Sequence, residues 1–298
     1  MATGNHPQYK ATAYQAKRPR YKSSLVGIIL AYHQHNNPAA ATELGLDVAT
    51  GTGIFARQLV PHFTKVVGTD ISKSMLQTAR EAAGDNPIEY VEAPSENLMF
   101  LNDRSVDVIT VATGAHWFNP DEFVREARRV LKPSGTLAIF GYSGLAHFVD
   151  HPQCDDIVRH EFLDPNKLGK LWSQGLDIVI DGYRRYHEIL LQNKWVGIKR
   201  TIYPGTAIRG EPSSEYPPIR AQEPVVMNFE VTWRILEDFW KTTSAVSRYV
   251  DMFPDRENPA TVLVRELMAA AGASDINEML RVQWEETLLM CHPPRSDM

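Results

Sequence analysis

Asp47, Gly51, Gly53 and Asp70 have the types and spacing to do chemistry. Residues 44–53 read Leu-Gly-Leu-Asp-Val-Ala-Thr-Gly-Thr-Gly, and a later apolar run, Val66-Val67-Gly68-Thr69, ends on Asp70. An apolar strand running into a glycine-rich turn, then a second strand ending in a carboxylate, builds a nucleoside pocket at the strand carboxyl ends of a doubly wound sheet. The glycines let the backbone approach a ligand closely, and the Asp70 carboxylate can accept hydrogen bonds from ribose hydroxyls. Gly51-Thr-Gly-Ile-Phe-Ala56 matches G-x-G-x-x-A, which an NAD(P)-dependent oxidoreductase would also carry. Two details favour another ligand. Asp47 can face the positive amino group of a zwitterion, directly or through water, whereas a pyrophosphate would gain nothing from it. None of the eleven tyrosines is followed four residues later by a lysine, a usual partner in hydride chemistry.

The elements that must position these residues follow from periodicity. Strands are predicted at 44–49, 65–69, 88–93, 106–112 and 136–141, alternating with helices at 54–60, 72–83 and 121–131; Ser72 is the predicted cap of the second of these helices. A helix from Ser23 or Ser24 to about His33 precedes them. This alternation predicts a parallel sheet with right-handed crossovers. Beyond residue 142 the pattern loosens. A helix at 183–195, a short strand at 199–203, one long helix at 229–250, a helix at 259–271 and a final strand within 278–290 are expected, with a Pro/Gly/Ser loop at 204–224.

The chain has 298 residues, 43% hydrophobic and 22% charged, with net charge −5. That composition suits one globular α/β domain and argues against nucleic acid as a partner, because no global positive field exists to neutralise phosphates. The two cysteines, Cys154 and Cys291, show no ligand spacing and fit a reducing compartment. No apolar run is long enough for a bilayer, and the first residues hold no apolar leader segment. A cytoplasmic protein, monomer or homodimer, without membrane or nucleic-acid partners is the expectation. Asp150-His151 and His160-Glu161 fit no closed metal site, so no metal is expected.

Three segments carry a family resemblance: Leu46-Asp-Val-Ala-Thr-Gly-Thr-Gly53, Gly68-Thr-Asp-Ile-Ser72 with Met75-Leu76, and Val130-Leu-Lys-Pro-Ser-Gly-Thr-Leu137. With these the chain resembles the class I S-adenosylmethionine-dependent methyltransferases. Ala115-His-Trp-Phe118, Asp121-Glu-Phe123 and Ile139-Phe-Gly-Tyr142 are similar to the trans-aconitate methyltransferase group, especially its fungal members, as are Leu168-Gly-Lys-Leu-Trp172 and Thr242-Thr-Ser-Ala245. The resemblance implies a Rossmann-like α/β fold: a seven-stranded, mostly parallel sheet, an antiparallel last strand and a helical cap. It places the core at about 36–142 with returning strands near 199–203 and 279–291. The cap would come from 1–22 and about 143–255. It also implies S-adenosyl-L-methionine as cofactor. Asp47, Ala49, Gly51 and Gly53 would border its methionine end, Asp70 would hold the ribose, and Ile71, Met75, Ser95 and Glu96 would border the adenine side. Two positions depart from the pattern. Ala49 stands where the family turn has its first glycine, and Pro94 stands where many relatives have an acidic residue for the exocyclic amine.

The acceptor is a small molecule in this reading. A carboxylate acceptor is ionised at pH 7 and needs no base, but its site must hold an anion, for which arginine is suited. Arg18, Arg184 and Arg185 are candidates. Tyr14, Trp117 and Trp172 could face a sulfonium through cation–π contact. A phenol or thiol acceptor would need a base, and His116 is placed for that role. The leading expectation is O-methylation of a carboxylate on a small polycarboxylic acid. The alternatives are O- or S-methylation of a secondary metabolite or xenobiotic, an NAD(P)-dependent oxidoreductase, and a non-catalytic binding module.

Overall fold

The apolar runs that alternate with amphipathic helices from Leu44 onward form a parallel sheet in the computed structural model, which describes residues 18, 21–35, 40–172, 175–203, 219–220 and 227–294. Helix α1 (Ser24–Gln34) precedes β1 (Leu44–Val48). A short α2 (Ala56–Leu59) follows the glycine turn, then β2 (Lys65–Asp70) and α3 (Lys73–Ala83). Ser72 caps α3 by accepting from the Met75 amide, as its side chain and position predict. Then come β3 (Ile88–Glu92), β4 (Val106–Ala112), α4 (Pro120–Val130) and β5 (Leu131–Phe148). Strand β4 is buried along nearly its whole length, as its unbroken apolar sequence requires.

The second half comprises α5 (Cys154–Leu163), α6 (Leu176–Ile180), α7 (Arg184–Gln192), β6 (Val196–Tyr203), β7 (Ile219–Arg220) and β8 (Met227–Thr232), then α8 (Trp233–Trp240), α9 (Ser244–Met252), α10 (Pro259–Ala271) and β9 (Met279–His292). The strand order is β3-β2-β1-β4-β5-β9-β6-β7, with β8 pairing β9. β1 to β5 run parallel, and β9 is antiparallel to both β5 and β6. The expected seven strands are present, and β7 and β8 enlarge the sheet to nine among the described residues.

Strands β5 and β9 outrun the parallel core. Past a register shift after Tyr142, residues 146–148 of β5 still pair with 282–284 of β9, whose other edge carries β8. This three-stranded extension holds its own apolar cluster: Phe148, Phe162, Trp233, Trp240 and Trp284 are all buried, with α5, α8, α9 and α10 packed round them. Helix α7 instead joins the cluster of the parallel sheet through Tyr186, Ile189 and Leu190.

Three local expectations are corrected. The helix expected at 229–250 is β8 followed by two helices. Thr232 caps α8 through the Ile235 amide, and the chain breaks at 241–243, where the Thr242 and Thr243 hydroxyls bond back to the Phe239 and Trp240 carbonyls. The strand expected at 136–141 runs on at both ends as β5, with its pairing to β4 jumping from Leu131 to Thr136 across Lys132-Pro-Ser-Gly135. The helix expected at 54–60 is a short α-turn followed by a 3-10 turn at Val60–His62. No described helix is long and apolar enough to cross a membrane.

Candidate functional site

Strands β1, β2 and β4 end at the same edge of the sheet, and the residues there have little conformational choice. Ala49, Gly51 and Gly53 all have positive φ (54°, 56° and 73°). Ala49 occupies the left-handed region with a side chain, and Gly114 after β4 makes room for it: a Cβ on Gly114 would sit 2.7 Å from the Ala49 Cβ. A Cβ on Gly53 would collide with the Tyr90 hydroxyl.

Asp70 ties the two strand ends together. Its Oδ2 accepts from the Gly51 amide at 2.9 Å and its Oδ1 from the Ser72 amide at 2.8 Å. An ionised carboxylate has about four lone-pair sites in all, the acceptor chemistry that a vicinal diol takes. Next to it, Ile71 is 48% exposed, whereas Met75 is buried on α3. Ser95 is buried, and Glu96 accepts from the Asn119 amide at 2.8 Å, stapling its loop to the start of α4.

Asp47 lies deeper than its sequence position suggests. It is fully buried, and its oxygens accept from the Thr50 hydroxyl at 2.6 Å and the Thr110 hydroxyl at 2.7 Å. Burial pushes its carboxyl up to about 6 against these hydrogen bonds. Thr50 and Thr110 were not singled out from sequence. The signal was there, since a polar residue in the apolar run of β4 must find a partner.

After β4, Thr113 has φ 51° and its hydroxyl meets the Tyr21 hydroxyl at 2.5 Å. The 3-10 turn Ala115–Trp117 presents His116, with the Trp117 ring tilted by 41° at 5.0 Å, while Tyr186 of α7 holds the Ala115 carbonyl at 2.7 Å. Burial, then the Arg18 charge, pushes the His116 imidazole down to about 4, so it is neutral across physiological pH. Among the described residues its Nδ1 is buried without a hydrogen bond. Arg18 donates to the Tyr142 hydroxyl at 3.2 Å and to the Thr242 carbonyl at 3.0 Å, and lies 5.2 Å over the Phe239 ring. The break between α8 and α9 is what exposes that carbonyl.

The structure thus brings Arg18, His116 and Trp117 to one edge of the sheet with the glycine turn and Asp70. The other acceptor-site candidates are differently engaged. The Trp172 indole donates to the Phe162 carbonyl at 2.7 Å, against the apolar cluster of the β5–β9 extension. Half-buried Arg184 pairs with Asp181 and Glu188, and exposed Arg185 with Asp121. Tyr14 lies outside the described residues.

Residues 46–139 match the methyltransferase domain family. Over 95% of each chain, the protein is 24% identical to Saccharomyces cerevisiae "Probable S-adenosylmethionine-dependent methyltransferase CRG1". It is 45% identical to the demethylmenaquinone methyltransferase of Thermotoga maritima over 32% of this chain and 41% of that one, so this second match spans under half of that relative. A solved structure from Anaeromyxobacter dehalogenans, assigned to the type II methyltransferases, superposes with a TM-score of 0.62 at 25% identity, covering 93% of this chain and 99% of that one. The chain is a class I S-adenosylmethionine-dependent methyltransferase. The domain match covers the glycine turn, Asp70, the His116 turn and the first half of β5, so this methyltransferase keeps its shared part in the parallel half of the sheet. The apolar cluster of α5, α8, α9 and α10 lies outside it.

Proposed function

We propose that this methyltransferase O-methylates a carboxylate on a small polycarboxylic acid, in the manner of the trans-aconitate methyltransferase group. S-adenosylmethionine supplies a methyl group on a sulfonium, which a nucleophile takes by in-line displacement. In this reading Asp70 holds the ribose diol, Ile71 covers the adenine, and the 49–53 turn lies along the methionine portion. Asp47 acts from behind the turn, fixing it through Thr50 and placing its charge near the ligand's ammonium group. Ser95 and the backbone of its loop serve the adenine edge in place of the acidic residue that Pro94 replaces, since Glu96 is occupied by Asn119.

The observation that carries the acceptor assignment is Arg18. Its half-buried guanidinium is held by the Tyr142 hydroxyl and the Thr242 carbonyl beside His116. A fixed cation at the strand ends neutralises an anionic acceptor, and a carboxylate nucleophile needs no base. A screen of di- and tricarboxylic acids against phenols and thiols tests this, with turnover of the acids expected. Arg18→Met should raise KM for an accepted acid at least about tenfold, the loss of one charge-assisted contact. Turnover confined to phenols or thiols would overturn the assignment.

One observation favours a second reading. His116 is neutral, and its unbonded Nδ1 could take a proton from a phenol or thiol of a secondary metabolite or xenobiotic. The same screen separates the two.

A further inference from the structure

Tyr142 on β5, Glu286 on β9 and Tyr203 on β6 stand opposite one another in register across three adjacent strands. Directly opposed residues in antiparallel pairs share a face, so the three side chains form one row. Phe140, Tyr203 and Leu288 on this face belong to the cluster that α1 covers. Glu286 is 1% exposed, and among the described residues its Oε1 has no hydrogen-bond partner. Lys22, exposed just before α1, is the formal charge that faces it. Tyr21, next to Lys22, is bound to Thr113 at the end of β4. On the other side of Tyr142, Arg18 holds the Tyr142 hydroxyl. A carboxyl one side chain deep, with an open oxygen and a lysine above it, therefore lies one residue across from the arginine already assigned to the acceptor.

We propose that Glu286, with Lys22, is a specificity-determining residue that takes a second carboxyl group of the acceptor where β5 and β9 leave the parallel core, beside the end of β6. The proposal rests on the carboxylate reading above. As a neutral acid Glu286 donates its O–H to one carboxylate oxygen, and Lys22 balances the remaining charge. Arg18 and Glu286, on either side of Tyr142, then hold two ends of one polyacid, whereas a monocarboxylic acid can engage only one of them. Burial pushes the Glu286 carboxyl up to about 8, and Lys22 opposes the rise. The other titratable groups facing it are Tyr142 and Tyr203, and burial pushes Tyr203 up as well. Glu286 is thus protonated at pH 7, and its ionisation above about pH 8 turns a donor into a repelling charge.

The test measures methyl transfer by the full chain to tricarballylate and to hexanoate from pH 6 to 9, with S-adenosylhomocysteine titration reporting a folded cofactor site. Glu286→Leu is expected to raise KM for tricarballylate at least tenfold, with a much smaller change in kcat and in KM for hexanoate. Wild-type KM for tricarballylate is expected to rise above about pH 8. Glu286→Gln, an uncharged donor of similar shape, should recover most of the lost affinity and lack the alkaline rise. An unchanged KM in the leucine variant, or an alkaline rise that persists in the glutamine variant, overturns the role of Glu286 while leaving the carboxylate reading in place. A wild-type enzyme that methylates phenols or thiols and no acid overturns that reading, and this one with it.

Discussion

The Gly51 amide donates to Asp70 Oδ2 at 2.9 Å, so the turn after β1 and the end of β2 form one hydrogen-bonded unit. Asp70 therefore shapes the turn as well as offering acceptors to a ligand. Asp70→Ala removes a charged acceptor and frees the Gly51 and Ser72 amides together. Hydrogen bonds to a charged group contribute about 1.5–3 kcal/mol each, so losing two ligand contacts should raise the S-adenosylhomocysteine dissociation constant by on the order of 10²-fold or more. Isothermal titration measures this directly. A change below about threefold would remove Asp70 from the cofactor site.

His116 separates the two acceptor classes by magnitude. A positioned general base contributes roughly 10²–10⁴-fold, so His116→Ala should lower kcat by that factor if the acceptor is a phenol or thiol. With a carboxylate acceptor the loss should stay below about tenfold. The pH profile gives a second readout. The imidazole is pushed down to about 4, so no His116 limb should appear in kcat between pH 6 and 9.

How much of this site was legible in sequence depends on the range of the interaction. The turn, Asp70 and the Ser72 cap lie within about twenty residues of one another, and local spacing alone predicts their meeting. Arg18 reaches the Thr242 carbonyl across 224 residues, and that carbonyl is available because two threonine hydroxyls break a helix that apolar periodicity reads as continuous. Glu286 sits in an apolar strand, but its neighbours Tyr142 and Tyr203 follow from the pairing register of β5, β9 and β6, which no local pattern encodes. The parallel direction of β1 to β5 follows from strand–helix alternation. The cap does not, because it is built on the overhang of β5 and β9.

Gly53 tests the steric basis of the turn. A side chain there meets the Tyr90 hydroxyl and must also adopt φ +73°. Gly53→Ala should lower Tm and weaken cofactor binding, with about 1–2 kcal/mol of cost from the left-handed backbone alone. Tyr90→Phe removes the clashing hydroxyl together with its interaction with the Arg57 guanidinium, so the Tyr90→Phe single variant is the reference for that loss. The double variant should recover the steric part of the loss and not the backbone part. No recovery at all would locate the whole cost in the backbone.

The buried carboxyl of Glu286 also sets a pH dependence of stability, apart from any role in binding. Its folded pKa, near 8, lies above the value of 4.5 for an unhindered glutamate. Between these values the folded chain keeps a proton that the unfolded chain has released. Unfolding then releases that proton, so stability falls as pH rises through this window, by up to about 1.4 kcal/mol per pH unit from this one group. Below about pH 4.5 both states are protonated and the contribution is constant; above about pH 8 both are ionised and the penalty is fully present. Glu286→Gln cannot titrate. Its stability relative to wild type should therefore climb steadily from pH 5 to pH 8 in urea unfolding, and then level off. Parallel stability curves for the two proteins across that range would mean that Glu286 is already ionised in the folded state, paired more closely with Lys22 than its burial implies.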